Sequence, residues 1–144
     1  DMDSLSFKHM ESLEEIKSCF IIMKQLRSHL IDAETFGLQI LHQRESSYHL
    51  LAAYKNEDIV GLAGYRYLEN LLYGRFLYVD DLIVSSDARN LGLGEKIISF
   101  LREEAQSMSC AHLVLDTGMG NALAQRFYFR NYFLPKGIHF SQEI

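Results

Sequence analysis

The change of hydrophobic period at Tyr48 constrains this chain more than any other feature. Before it, Leu13, Ile16, Phe20, Met23, Leu26 and Leu30 recur at three- and four-residue steps, the spacing of one helix face. After it, residues 48–55, 59–68 and 75–84 are successive extended runs rich in Tyr, Val, Ile and Leu. Only the turn-like Asn56-Glu57-Asp58 cluster and a short stretch punctuated by Gly74 separate them. Connections that short join antiparallel neighbours, so these runs predict a meander. The helical period then returns at Leu93, Ile97, Ile98, Leu101, Ala105 and Met108, and a short apolar run follows at residues 112–116. A strand–helix–strand passage closes as a right-handed crossover between parallel neighbours. The expected fold is therefore α/β of the mixed, α+β type: a mostly antiparallel sheet with one parallel pair, flanked by helices.

The remaining elements fit around that frame. Residues 5–10 alternate as a first strand, and Ser12-Leu13-Glu14-Glu15 has the form of a capping box that starts a helix running to Leu30. A second helix is expected over residues 33–43, burying Phe36, Ile40 and Leu41. A further one is expected over 122–130, with Leu123, Ala124 and Phe127 turned inward. Pro135 ends any helix, and residues 138–140 return as a last strand. With 144 residues and neither linker nor repeat, the expectation is one domain over residues 1–144.

Charge and composition remove several function classes. Fourteen Lys and Arg against nineteen Asp and Glu give a net charge of −5, so no basic field attracts nucleic acid. The longest apolar runs, residues 19–23 and 50–54, fall far below the roughly 18 to 20 residues that span a bilayer, so no membrane partner is expected. Residues 1–10 lack the apolar stretch of a secretory signal, and Asp1 is no initiator, which points to Met2 as the start. Cys19 and Cys110 stand apart without a C-x-x-C partner and read as small buried hydrophobes in a reducing compartment, the cytoplasm. The six His show no ligand spacing, so no metal is expected.

The densest chemical signal is Arg89-Asn90-Leu91-Gly92-Leu93-Gly94, an R-x-x-G-x-G between a strand ending at Val84 and a helix beginning near Leu91. Glycines there let the backbone turn tightly and approach a ligand, while the N–H groups of a first helical turn point outward with the positive end of the dipole. A phosphate or pyrophosphate fits such a junction; close helix-on-sheet packing is the other use of two such glycines. The dinucleotide fingerprint fails because position 97 is Ile, and the P-loop fails because Gly94 is followed by Glu95-Lys96.

Together with the preceding Leu82-Ile83-Val84, this segment resembles the GNAT superfamily of acyl-CoA-dependent N-acyltransferases, whose [QR]-x-x-G-x-[GA] signature follows an L-x-V strand. The family's second segment, N-x-x-A-x-x-F-Y-x-x-x-G-F, is matched by Asn121, Ala124, Phe127, Tyr128 and Phe133, with Tyr132 standing where the family most often has Gly. The resemblance implies acetyl-CoA as co-substrate. It implies that the pantetheine arm lies like an added strand against Leu82, Ile83 and Val84. That arm lies where the parallel strands splay, and the pyrophosphate is then held at the helix amino terminus by the amides of Asn90, Leu91, Gly92, Leu93, Gly94 and Glu95. Arg89 adds charge to that anion site or faces solvent. Asn121 bonds the cofactor or caps its own helix, next to Ala124.

The chemistry implied is direct transfer of an acetyl group to a primary amine, small-molecule or peptide. In the family the Tyr of the F-Y pair commonly protonates the leaving thiolate, which assigns general acid to Tyr128; a packing aromatic is its plainer role. An alkylamine with a pKa of about 10.4 must lose a proton before attack, and Asp80 and Asp81 are the candidate bases, with an ordered water as the alternative and Tyr78 as a fallback. Strand alternation is expected to send the two carboxylates to opposite faces, so that at most one reaches the acceptor. The family's amino-terminal helices often help form the acceptor pocket, which here implicates residues 12–43. Dimers are common in the family, and no apolar stripe here demands one, so a homodimer stays open. The competing reading from another class is a GNAT-like module that binds acyl-CoA as a sensor without turnover.

Overall fold

The structure, a computed structural model, describes residues 5–89 and 91–144; Asn90, expected at the anion site, lies outside the described residues. The chain divides into two compact units, Asp1–Val114 and Leu115–Ile144.

The first unit is built on a sheet of order β1-β2-β3-β4-β5. Its strands are β1 (Leu5–His9), β2 (His49–Lys55), β3 (Asp58–Asn70), β4 (Gly74–Val84) and β5 (His112–Leu115). β1 to β4 pair antiparallel in sequence order, and β5 lies parallel to β4, which is the mixed sheet expected from the sequence. The Tyr54–Ile59 and Lys55–Asp58 pairs close the β2–β3 hairpin across Asn56, whose left-handed φ of 58° suits its short polar side chain.

Period-two alternation gives the sheet two different faces. On one, Leu50, Ala52 and Leu62 join Ile16, Cys19, Met23, Phe36 and Ile40 in the main core beneath α1 (Leu13–Lys17), α2 (Phe20–Leu26) and α3 (Ala33–Gln43). On the other, Phe7 and His9 meet Phe100 of α4 (Leu93–Ser107) at ring distances of 4.7 and 6.2 Å. Gly61 permits that second contact, since a Cβ there would lie 2.9 Å from Ile97 Cδ1.

Two expectations about the elements are corrected. The single amphipathic helix over residues 12–30 is two helices. It starts as expected, with Ser12 accepting from Glu15 N and Glu15 reaching back to the Ser12 amide. It breaks at Ser18 and Cys19, where Cys19 N bonds Ile16 O in a tightened turn and the Ser18 hydroxyl donates to Glu15 O. The expected strand over residues 138–140 does not form, and Ile138 and Phe140 are exposed. β-propensity there finds no ladder to join.

In the second unit, α5 (Ala122–Arg130) has the expected limits. Asn121 caps it by accepting from Ala124 N at 3.1 Å. Leu123, expected inward, is 77% exposed, while Ala124 and Phe127 are half-buried. No helix among the described residues is long and apolar enough to cross a membrane.

Candidate active site

Strand β4 carries an irregularity where the chemistry was expected. Gly64 pairs with Asp81 and Tyr65 with Val79, so Asp80 is an extra residue with no partner in β3. An inserted residue resets alternation by one step. As a result, Asp80 and Asp81 do not diverge to opposite faces as expected: both engage groups on the α1–α3 side. Asp80 takes two bonds from Arg66, at 2.9 Å from Nε and 2.8 Å from the terminal nitrogen. Asp81 Oδ1 accepts from Arg27 Nε at 2.9 Å, and its Oδ2 accepts from the Tyr48 hydroxyl at 2.7 Å. Arg27 also donates to the Asp80 carbonyl at 2.8 Å, so α2 is tied to the bulge itself. Burial and the Asp81 carboxylate hold the Tyr48 hydroxyl well above the usual tyrosine range, which keeps it a donor.

Gly64 makes this cluster possible. A Cβ at that position would stand 1.7 Å from the Tyr48 hydroxyl oxygen and 2.8 Å from Asp81 Oδ2. The space a side chain would occupy is therefore used for a hydrogen bond to the carboxylate. Tyr48 and Asp81 form one wall of an open cavity of about 740 Å³, lined also by Met23 from α2, by Arg27 at its C-cap and by Phe36 and Gln39 from α3. Residues of the 12–43 segment thus line a cavity that reaches Asp81. Asp80 is not among its lining residues.

Beyond the bulge, Ser85 N donates to Val60 O at 2.8 Å, continuing the β3 pairing past the end of β4. By alternation Ile83 turns its main-chain groups to β3, and Leu82 and Val84 turn theirs the other way. On that side lies β5, parallel and only four residues long against eleven. His112 at its start lies beside Tyr73, the residue before β4, with ring centroids 4.7 Å apart and planes tilted; four residues from there span about 13 Å, which stops short of Leu82. Leu82 and Val84 consequently present main-chain donors and acceptors beyond the last β5 residue. Arg89, expected at the anion site or in solvent, is exposed, with Nε reaching back to Val84 O at 3.4 Å.

The strand leads through a 3₁₀ turn at Ser86–Ala88 into α4. Gly92 is the N-cap residue, left-handed at φ 74°, with no side-chain cap. Glycine enters that region with no Cβ penalty. Lys96 N bonds Gly92 O, which is the first turn closing; the amides of Gly92, Leu93, Gly94 and Glu95 precede any helical acceptor. Leu93 is buried in the core, and Leu91 is 45% exposed.

Tyr128 owes its setting to the end of α5. Tyr132 N bonds Phe129 O and Phe133 N bonds Tyr128 O, with Tyr132 left-handed at φ 68°. This is a Schellman ending, and the apolar contact that usually accompanies it is the Phe133 ring against Tyr128 at 5.6 Å. Phe127 flanks the same ring at 5.5 Å. Partial burial pushes the Tyr128 hydroxyl above its ordinary pKa, so it stays protonated at neutral pH. Glycine is favoured at position 132 because the turn is left-handed, and here a 92% exposed tyrosine accepts that conformation. Among the described residues no group of His, Cys, Asp and Glu could hold a metal ion.

A bulged β4 beside a shorter parallel strand, leading through a glycine turn into an uncapped helix start, defines a mixed α/β domain with an anion-ready strand–helix junction. The acetyltransferase (GNAT) family matches residues 11–132, and the chain belongs to that family. It is 30% identical over 126 residues to the uncharacterized N-acetyltransferase YhdJ of Bacillus subtilis (strain 168), covering 86% of this chain and 87% of that one. Its fold is that of an aminoglycoside acetyltransferase from an uncultured soil metagenomic sample in complex with sisomicin. There the TM-score is 0.82 at 16% identity, over 100% of this chain and 99% of that one. It is also that of AAC(6')-Iy in complex with a bisubstrate analog, CoA-S-monomethyl-acetylneamine, with a TM-score of 0.82 at 15% identity, over 97% and 98% of the two chains.

Arg27, Arg66, Tyr48 and Gly64 were absent from the expected site. The 54-residue separation of Arg27 from Asp81 leaves no local signal for that bond. Gly64 stands inside an apolar strand run, a position where an isolated glycine marks a bulge or a close approach.

Proposed function

We propose that this protein moves an acetyl group from acetyl-CoA to a primary amine by direct attack. The observation that carries the reading is the continuity of one stretch of main chain. Outward-facing peptide groups at Leu82 and Val84, past the end of β5, lead into a helix start opened by left-handed Gly92. The first suits the amide-bearing pantetheine arm as an added strand, and the second suits a diphosphate. Ile83 supports the arm from the strand, and the Asn90–Glu95 amides, Arg89 and the Asn121–Ala124 turn complete the cofactor set proposed from the sequence.

The amine nitrogen attacks the thioester carbonyl carbon, and the tetrahedral adduct then breaks its C–S bond. Tyr128, kept protonated, gives its proton to the departing thiolate, and the phenol is restored from solvent. The proton leaving the amine goes to Asp81, directly or through a water, because Asp81 rather than Asp80 lines the cavity. Each Asp81 oxygen already accepts a bond and keeps a further lone pair for this. Asp80, clamped by Arg66, holds the bulge.

Acetyl-CoA with a panel of primary amines, assayed by thiol release, tests the reading. Tyr128→Phe should lower kcat by about 10²- to 10⁴-fold while CoA still raises the melting temperature. CoA binding without amine-dependent thiol release would identify a sensor instead.

A further inference from the structure

The cavity beside Asp81 has a charge pattern that selects among amines. Its carboxylate charge is already paired by Arg27 at Oδ1, and Oδ2 accepts from Tyr48. Among the described residues Asp81 is the only acid in the lining, which also includes Arg27, His29 and His42. The nearby acids on α3 and its flanks are occupied: Asp32 accepts from Thr35 N at 2.7 Å, Glu34 pairs with Lys17 at 2.8 Å, and Glu45 lies 3.7 Å from His42. No described lining residue can therefore balance several positive charges. A guanidinium fixed at one edge by Asp81 and the Asp80 carbonyl, 43% exposed as a side chain, is a preorganised partner for an anion.

We infer that the acceptor is a primary amine bearing an anionic group, a carboxylate or phosphate, which the Arg27 guanidinium receives in the cavity between α2, α3 and Asp81. Polycationic amines are disfavoured there. The inference rests on the transfer reading for the identity of the reacting amine, whereas the anion preference belongs to the cavity and is measured independently.

The test uses the full chain and a matched series of primary amines ending in carboxylate, phosphate, carboxamide or trimethylammonium. Binding is read by thermal stabilisation without acetyl-CoA, and turnover by thiol release. The carboxylate or phosphate member should bind at least tenfold more tightly than the carboxamide, and the trimethylammonium member should bind weakest. The arms separate the two anions. Arg27→Gln should erase most of that tenfold difference, and Arg27→Lys should keep part of it. Equal binding across the series, or tightest binding of the trimethylammonium amine, overturns the inference even if thiol is released. Anion-selective binding with no thiol release from any amine upholds it and refutes the transfer reading.

Discussion

Replacing Gly64 by alanine isolates the contact on which the Asp81 cluster depends. The new Cβ would stand 1.7 Å from the Tyr48 hydroxyl oxygen and 2.4 Å from Cζ of the same ring. Tyr48 is 2% exposed, so its ring has nowhere to go without moving the core. Overpacking of this kind costs about 1–3 kcal/mol. Losing the hydroxyl donor to Asp81 adds about 1.5–3 kcal/mol, as for hydrogen bonds to charged groups. Against this, removing a strand glycine returns about 0.5–1 kcal/mol. The net is a loss of about 2–5 kcal/mol, or on the order of 10 °C in melting temperature. Urea unfolding of wild type, Gly64→Ala, Tyr48→Leu and the double variant measures it. In the Tyr48→Leu background, where Cζ and the hydroxyl are gone, Gly64→Ala should cost less than about 1 kcal/mol. A Gly64→Ala protein as stable as wild type, or strictly additive losses, would refute the argument.

Three further outcomes are expected. Bonds from Lys8 and from the Ser12 and Glu11 amides hold the Glu15 carboxyl down at about 2, from an ordinary 4.5. Its contribution to stability is thus complete above about 4.5 and is lost as pH falls toward about 2, and Glu15→Gln should flatten the stability–pH curve in that window. Tyr132→Gly should raise stability by up to about 1 kcal/mol, since a left-handed L-residue costs about 1–2 kcal/mol and the added chain entropy offsets about half; a clear loss on thermal unfolding would contradict that. Burial pushes the Cys19 thiol up to about 12, so in a Cys110→Ser protein a disulfide reagent at pH 8 should react only at the rate of unfolding.

What could be read from the sequence was whatever has a local cause. α3 and α5 have the expected limits because Asp32 and Asn121 each cap an amide three residues on, a signal written in adjacent residues. The meander followed from its short connections, and the Tyr128 and Gly92 segments from their motifs. The break between α1 and α2 was hidden because Phe20 and Met23 resume the apolar spacing on the far side. The Asp80 bulge was hidden because one inserted residue leaves composition unchanged while reversing every later side chain. The counter-ions of both aspartates come from other elements, and only the folded chain brings them near.

The end of α2 meets β4 and the turn after it twice: the C-cap residue Arg27 at the bulge, and Gln25 through its side-chain oxygen on Ser86 N at 3.0 Å. The helical segment is therefore no interchangeable cassette. A graft that lacked an arginine at position 27 would strand the Asp81 charge in a partly buried wall, so a replacement at 27 calls for one at 81 as well.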